Sequence, residues 1–145
     1  MKAKDLMTRD VVSLSPLTDL GAAARLMTDR RISGAPVVDA KMNILGVVSQ
    51  SDLVRFQGGE RPDGWDPIRR DADWPEAPEP VPVMAVMTAR PVTCDEEAPV
   101  DEVARLMLER RVHRLLVTHG GKLVGIISAM DLLRAVPVGS PVRSR

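Results

Sequence analysis

Two stretches of the chain show the same succession of apolar and polar positions. Apolar residues recur at helical spacing in each, at Leu20, Ala23, Ala24 and Met27 and again at Val100, Val103, Ala104 and Met107. Short apolar runs separated by turn residues flank both helices. The pattern predicts β-α-β-β-α twice, with strands at 11–12, 35–38 and 44–48 and then at 92–93, 115–118 and 123–127. The closing helices are predicted at 51–56 and 129–136.

The two stretches form an internal repeat. Met7-Thr8 returns as Met87-Thr88, a shift of 80, and Asp52-Leu53 returns as Asp131-Leu132, a shift of 79. One copy cannot bury both faces of its sheet, whereas two facing copies can. We therefore expect one α/β module with pseudo-twofold symmetry, divided into a first motif (1–56), a linker or lid (57–83), a second motif (84–136) and a tail (137–145).

The linker is rich in proline and glycine, which excludes a long helix or a central strand. We interpret it as an extended loop or lid. Trp65 and Trp74 would pin it to the protein's own body or to a partner, and the first arrangement is the commoner one.

Composition narrows the class of protein. Lys and Arg total 20 and so do Asp and Glu, and this balance disfavours nucleic-acid binding, even though Arg30-Arg31, Arg110-Arg111 and the Arg-ended tail cluster charge locally. Phe56, Trp65 and Trp74 are the only aromatic residues, so the core must be aliphatic and base stacking is excluded. No signal peptide or membrane-spanning run is recognisable, and the single cysteine fits a reducing compartment. We expect a cytoplasmic protein that does not contact membranes.

The residues that catalysis would need are not arranged for it. His113 and His119 lack companions at metal-ligand spacing, so no metal site is expected. Cys94 has no base predicted nearby, and no glycine-rich phosphate loop is present. The sequence therefore favours a binding protein over an enzyme, without a required cofactor.

Serine and aspartate recur where a buried strand meets a helix, at Ser49-Gln50-Ser51-Asp52 and at Ser128-Ala129-Met130-Asp131. This spacing is an ordinary helix start, with serine as cap and the acid three residues on. It also suits a sugar, because two carboxylate oxygens can accept both hydroxyls of a ribose diol. Gly46 and Gly125, inside strands, indicate a close approach by a ligand or, the interpretation we favour, by the facing copy.

These features resemble the CBS-motif family, whose motifs occur in tandem pairs called Bateman modules, here in the stand-alone form found in bacteria and archaea. The resemblance covers Met7 to Leu53 and Met87 to Leu133. The segment from Arg31 to Asp39 is similar to the CBS insert of IMP dehydrogenases, and Val112 to Leu115 resembles the gamma subunit of AMP-activated kinase.

The resemblance implies two pockets, each combining the aspartate-bearing end of one motif with strands of the other. Pocket 1 would use Ser49, Ser51, Asp52, Val92, His113 and Arg114. Pocket 2 would use Val12, Ser33, Gly34, Ser128 and Asp131. Backbone groups of the two valines would meet adenine, and the His-Arg pair would meet phosphates. Because Ser33-Gly34 replaces that pair in the first motif, we expect unequal pockets, with pocket 1 better suited to a phosphorylated ligand.

The resemblance also implies a function. We expect a regulatory sensor of AMP, ADP and ATP that acts on a partner protein as a homodimer joined through its helices. Two alternatives remain open. One is a ligand-free dimeric scaffold that recruits a partner through the linker or the tail, and the other is a sensor of S-adenosylmethionine or NAD.

Overall fold

The computed structural model describes residues 1–60 and 81–137. The predicted contacts of Trp65 and Trp74, and the tail beyond residue 137, lie outside the described residues. In chain order the elements are α1 (Ala3–Leu6), α2 (Leu20–Arg30), β1 (Gly34–Val38), β2 (Ile44–Ser49), α3 (Gln50–Gln57), a 3₁₀ helix (Val83–Ala85), β3 (Thr93–Asp95), α4 (Val100–Arg110), β4 (Arg114–His119), β5 (Lys122–Ser128) and α5 (Ala129–Leu133). The α/β class and the tandem arrangement are confirmed.

The first strand differs between the repeats. In the second repeat, β3 runs parallel to β4, and Glu96 N extends the ladder by donating to Thr118 O at 2.9 Å. The strand predicted at 11–12 is wrong, because the first repeat has only a parallel bridge between Leu14 and Val37. Proline at position 16, the counterpart of Glu96, has no amide hydrogen with which to extend that ladder.

The chain forms two compact units that cut across the sequence repeats. The first unit comprises Val12–Pro91, and the second comprises Met1–Val11 together with Val92–Arg145. Each contains an antiparallel hairpin, β1–β2 in the first unit and β4–β5 in the second. The division therefore differs from the motif boundaries expected at 1–56 and 84–136.

A Met-Thr segment completes each unit. In the first unit Thr88 exchanges two backbone hydrogen bonds with Val47, at 2.8 and 2.9 Å. In the second unit Thr8 makes the equivalent pair with Ile126, also at 2.8 and 2.9 Å. Each unit thus combines the hairpin of one repeat with the Met-Thr segment of the other repeat.

Glycine is required where these segments cross the hairpins. A Cβ at Gly46 would lie 2.7 Å from Thr88 O and 2.8 Å from Met87 Sδ. At Gly125 it would lie 2.5 Å from the sulfur of Met7. The expectation that these glycines face the other copy is confirmed, because the neighbour of each belongs to the other repeat.

Both cores are aliphatic, as the composition predicted. The first unit buries Leu14, Ala23, Met27, Ala35, Val37, Val48 and Val83. The second unit buries Ala3, Val103, Met107, Leu115, Val117 and Ile127. No helix within residues 1–60 and 81–137 combines the length and apolarity that a bilayer crossing requires.

Salt bridges reinforce the attachment of the N-terminal segment in the second unit. Ala3 is fully buried, and its amide donates to Ala98 O at 2.8 Å. Glu97 accepts from Lys2 Nζ at 2.5 Å and from Lys4 Nζ at 2.7 Å. Hydrogen bonds from the two lysines lower the pKa of Glu97 from 4.5 to about 2. The same contact with Glu97 raises the pKa of Lys4.

We expect Gly46→Ala to destabilise the protein by about 1–3 kcal/mol, because the new methyl group meets a backbone oxygen that cannot move alone. Urea unfolding measures the change. Gly58→Ala is the matched control, since a Cβ there would meet its neighbours at an ordinary 3.5 Å. Equal stability of the two variants would contradict the close-approach interpretation.

The attachment of the N-terminal segment should weaken in acid. Because the folded-state pKa of Glu97 lies below its ordinary value, the stabilisation is present above about pH 4.5 and is lost as the pH falls towards 2. Hydrogen-exchange protection of the Ala3 amide, corrected for intrinsic rates, should fall over that window. In Glu97→Gln this fall should disappear, while Glu109→Gln, on the exposed side of α4, should behave like the parent.

Candidate ligand-binding sites

The turn between β2 and α3 in the first unit is a capping box. Ser49 Oγ accepts from Asp52 N at 3.2 Å, while Asp52 Oδ2 accepts from Ser49 N at 2.8 Å and from Ser49 Oγ at 3.0 Å. These bonds satisfy backbone donors that a helix start otherwise leaves unpaired. The capping interpretation is therefore confirmed for this turn.

The turn between β5 and α5 in the second unit repeats the geometry. Asp131 Oδ2 accepts from Ser128 N at 2.8 Å and from Ser128 Oγ at 2.9 Å, and Asp131 N donates back to Ser128 Oγ at 3.1 Å. The middle position is exposed in both turns, Ser51 in the first and Met130 in the second. Replacing that hydroxyl therefore leaves the box intact.

Both aspartates are buried, each 7% exposed, and they are the only buried charged residues in the described part of the chain. Because Oδ2 already accepts two hydrogen bonds in each box, Oδ1 is the oxygen left outside it. The expectation that both oxygens are open to a diol therefore needs correction: Oδ2 is occupied by the cap.

An arginine one helical turn later covers each remaining oxygen. Arg55 Nη2 lies 2.6 Å from Asp52 Oδ1, and Arg134 Nη1 lies 3.4 Å from Asp131 Oδ1. Reasoning from sequence missed both arginines. The repeat held the signal, since positions 55 and 134 differ by the same 79 residues as the two aspartates.

In the first unit the neighbouring strand brings Ser33 and Gly34 beside this turn. Gly34 pairs with Ser49 across the hairpin, and Gln50 N donates to Ser33 O at 2.8 Å. Val12 is half-buried and begins the same unit.

The second unit presents the corresponding positions with more charge. Arg114 pairs with Ser128 across the hairpin, and Ala129 N donates to His113 O at 2.8 Å. Both His113 and Arg114 are exposed. Val92 is half-buried, and its carbonyl oxygen, expected to face adenine, accepts a hydrogen bond from Leu116 N at 3.2 Å.

The predicted site residues thus form one set in each unit. The first unit holds Val12, Ser33, Gly34, Ser49, Ser51 and Asp52, and the second unit holds Val92, His113, Arg114, Ser128 and Asp131. The predicted pairing of residues from both repeats into pockets 1 and 2 stays a prediction.

A cavity in the second unit involves other residues. It has a volume of about 470 Å³ and is lined by Thr93, Cys94, Asp95, Glu97, Ala98, Pro99, Glu102, Val103 and Leu106. Burial, with the charges of Asp95 and Glu102, raises the pKa of the Cys94 thiol to about 11. This thiol is therefore a poor nucleophile at neutral pH. No group of three potential metal ligands occurs among residues 1–60 and 81–137.

Comparison with known proteins gives matches along most of the chain. The family model described as CBS domain matches residues 3–59 and 83–138. Protein YlbB of Bacillus subtilis (strain 168), an uncharacterized protein, is 34% identical over 132 residues, which cover 90% of this chain and 79% of that protein. The inosine-5'-monophosphate dehydrogenase of Methanocaldococcus jannaschii is 29% identical over 134 residues, but the match spans only 23% of that enzyme.

Solved structures give the same result. CBSX2 in complex with AMP matches with a TM-score of 0.72 and 25% identity, covering 92% of this chain and 94% of that one. A putative acetoin utilization protein (AcuB) from Vibrio cholerae matches with a TM-score of 0.73 and 28% identity, covering 93% and 89%. With both repeats matched by the family model, this chain belongs to the CBS domain family as a tandem pair of CBS motifs.

Proposed function

We propose that this chain is a regulatory module that binds an adenine nucleotide, AMP, ADP or ATP, and acts on a partner protein. The observation that carries the proposal is the buried serine-aspartate turn, which occurs twice with the same hydrogen bonds and with Oδ1 outside the box each time. Ribose hydroxyls can donate to this oxygen in place of the exposed arginine that contacts it in each unit.

Within each unit, the strand beside the turn contributes further groups to the proposed site. In the second unit His113 and Arg114 lie next to Ser128 and Asp131, so a guanidinium, the group that pairs best with phosphate, stands beside this turn. In the first unit Ser33 and Gly34 take those positions and offer no charge. The set containing Arg114 is therefore the better phosphate site.

A relative of similar size supports the ligand class. The CBSX2 structure contains AMP, and the match covers nearly the whole of both chains. Since the described residues contain no assembled nucleophile and base, and the match to inosine-5'-monophosphate dehydrogenase spans only 23% of that enzyme, we propose binding rather than catalysis as the activity.

Regulation would follow from differential binding. Nucleotides that differ in phosphate number would favour different conformations, and a partner would bind one of them. We also propose a homodimer joined through helices. Leu108 on α4 is 80% exposed and Leu133 on α5 is 58% exposed, and these two helices are in contact within the second unit.

Calorimetry should detect AMP binding below the millimolar range. Asp52→Ala or Asp131→Ala should weaken it about tenfold or more, because a buried charge-assisted hydrogen bond is lost. Each single variant reports on its own turn. S-adenosylmethionine and NAD in parallel titrations test the other adenosyl ligands.

The control is Asp19→Ala, which removes a carboxylate that caps α2 by accepting from Ala22 N at 2.9 Å and has no proposed ligand role. It should cost about 1 kcal/mol of stability while leaving AMP affinity unchanged. Asp52→Asn and Asp131→Asn retain the shape of the cap if an alanine variant unfolds. If no adenosyl ligand binds the folded parent, the sensor function is excluded and the scaffold alternative is favoured.

The homodimer is tested by sedimentation. Leu108→Glu should shift the protein towards the monomer, because a charge replaces an apolar contact. Leu17→Glu is matched in side chain and exposure, at 75%, but lies outside the helices and should leave the dimer intact. A monomeric parent protein would rule out the proposed homodimer.

A further inference from the structure

Each capping-box aspartate has a basic partner at the same position of the repeat. Arg55 and Arg134 follow Asp52 and Asp131 by three residues. Their guanidinium groups contact Oδ1, the oxygen that the box leaves over, at 2.6 and 3.4 Å. The contact is therefore a feature of both repeats and not of one helix alone.

The two partners of each ion pair differ in their access to water. The side chains of Asp52 and Asp131 are 6% and 9% exposed, whereas those of Arg55 and Arg134 are 55% and 75% exposed. Water solvates an exposed guanidinium readily when it leaves, so the cost of opening the pair falls on the buried carboxylate unless a ligand donor replaces the arginine. The buried carboxylate stays in place, since its other oxygen is bonded in the box. The arginine is thus the movable member.

We infer that Arg55 and Arg134 determine specificity, making both sites selective for phosphorylated adenosine compounds over unphosphorylated ones. The inference rests on the proposed function. A ribose hydroxyl that donates to Oδ1 must compete with the guanidinium already there. Adenosine has no phosphate with which the displaced guanidinium could pair, so the competition lowers the affinity of the site for adenosine.

A phosphate changes that balance. It carries more charge than the carboxylate and can accept two parallel hydrogen bonds from a guanidinium. In the same orientation Arg55 also has a second acidic neighbour, Glu60, whose Oε2 lies 3.7 Å from its Nε. The same arginine thus opposes a ligand without phosphate and supports one with it. Selectivity depends on this difference in affinity.

The test compares AMP with adenosine, which differ only in the phosphate. In the parent, calorimetry should give tighter binding of AMP. In the double variant Arg55→Gln/Arg134→Gln, AMP should bind about tenfold or more weakly, since a charge-assisted contact is lost, while adenosine should bind equally or more tightly. The ratio of the two dissociation constants should therefore fall at least tenfold.

Two double variants serve as controls. Arg30→Gln/Arg110→Gln removes the same charge from the last turns of α2 and α4 and should leave the ratio unchanged. Arg55→Lys/Arg134→Lys retains the charge without the planar fork and should give an intermediate ratio.

The outcomes separate this inference from the proposed function. A parent that prefers AMP, with the same preference in the glutamine variant, overturns the inference and leaves the proposed function standing. Equal binding of AMP and adenosine by the parent does the same. A folded parent that binds neither compound overturns the proposed function, and the inference fails with it.

Discussion

Both halves of this protein depend on a buried carboxylate at the start of a short helix. Burying such a group is costly unless it is paired. One serine supplies two hydrogen bonds to Oδ2 of each aspartate, and an arginine one turn later contacts Oδ1. The helix start is therefore fixed through Oδ2, while Oδ1 is contacted by an exposed arginine. On the proposed function, the structural role belongs to Oδ2 and the ligand-binding role to Oδ1 of the same side chain.

The hairpins that carry these turns depend on a second constraint. Each is bordered by a Met-Thr segment from the other repeat, and only glycine fits where that segment crosses. Thr88 belongs to the second repeat but lies in the first unit, and Thr8 belongs to the first repeat but lies in the second unit. Each unit therefore contains residues of both repeats. Loosening the N-terminal segment therefore affects the hairpin of the second repeat. In this way the covalent order of the chain couples the two repeats without requiring a ligand.

The repeat made much of this predictable. Helical spacing and paired apolar runs predicted four elements in each repeat, the two helices and the two strands of the hairpin. They could do so because residues that face a core impose these patterns. The strand predicted at 11–12 was wrong because the prediction rested on an apolar pair alone. Pro16 lacks the amide hydrogen that the ladder needed. The short helix α1 was not predicted, because a single turn (Ala3–Leu6) gives too little periodicity to detect. At the sites, serine and aspartate were found from their capping spacing, but Arg55 and Arg134 were not identified, although both recur at the repeat interval.

The remaining difference between the repeats bears on how such a module would respond. Asp52 has the closer arginine, at 2.6 Å, and uncharged neighbours in Ser33 and Gly34. Asp131 has the looser one, at 3.4 Å, and Arg114 across the hairpin. On the proposed function, a nucleotide at the second site meets one additional cation, Arg114, so that site should fill first. Two sites of unequal affinity respond over a wider range of ligand concentration than two equal ones, which suits a sensor of nucleotide levels. The difference between the two repeats would then extend the range of ligand concentration over which the module responds. It would arise because the second repeat has His113-Arg114 where the first has Ser33-Gly34.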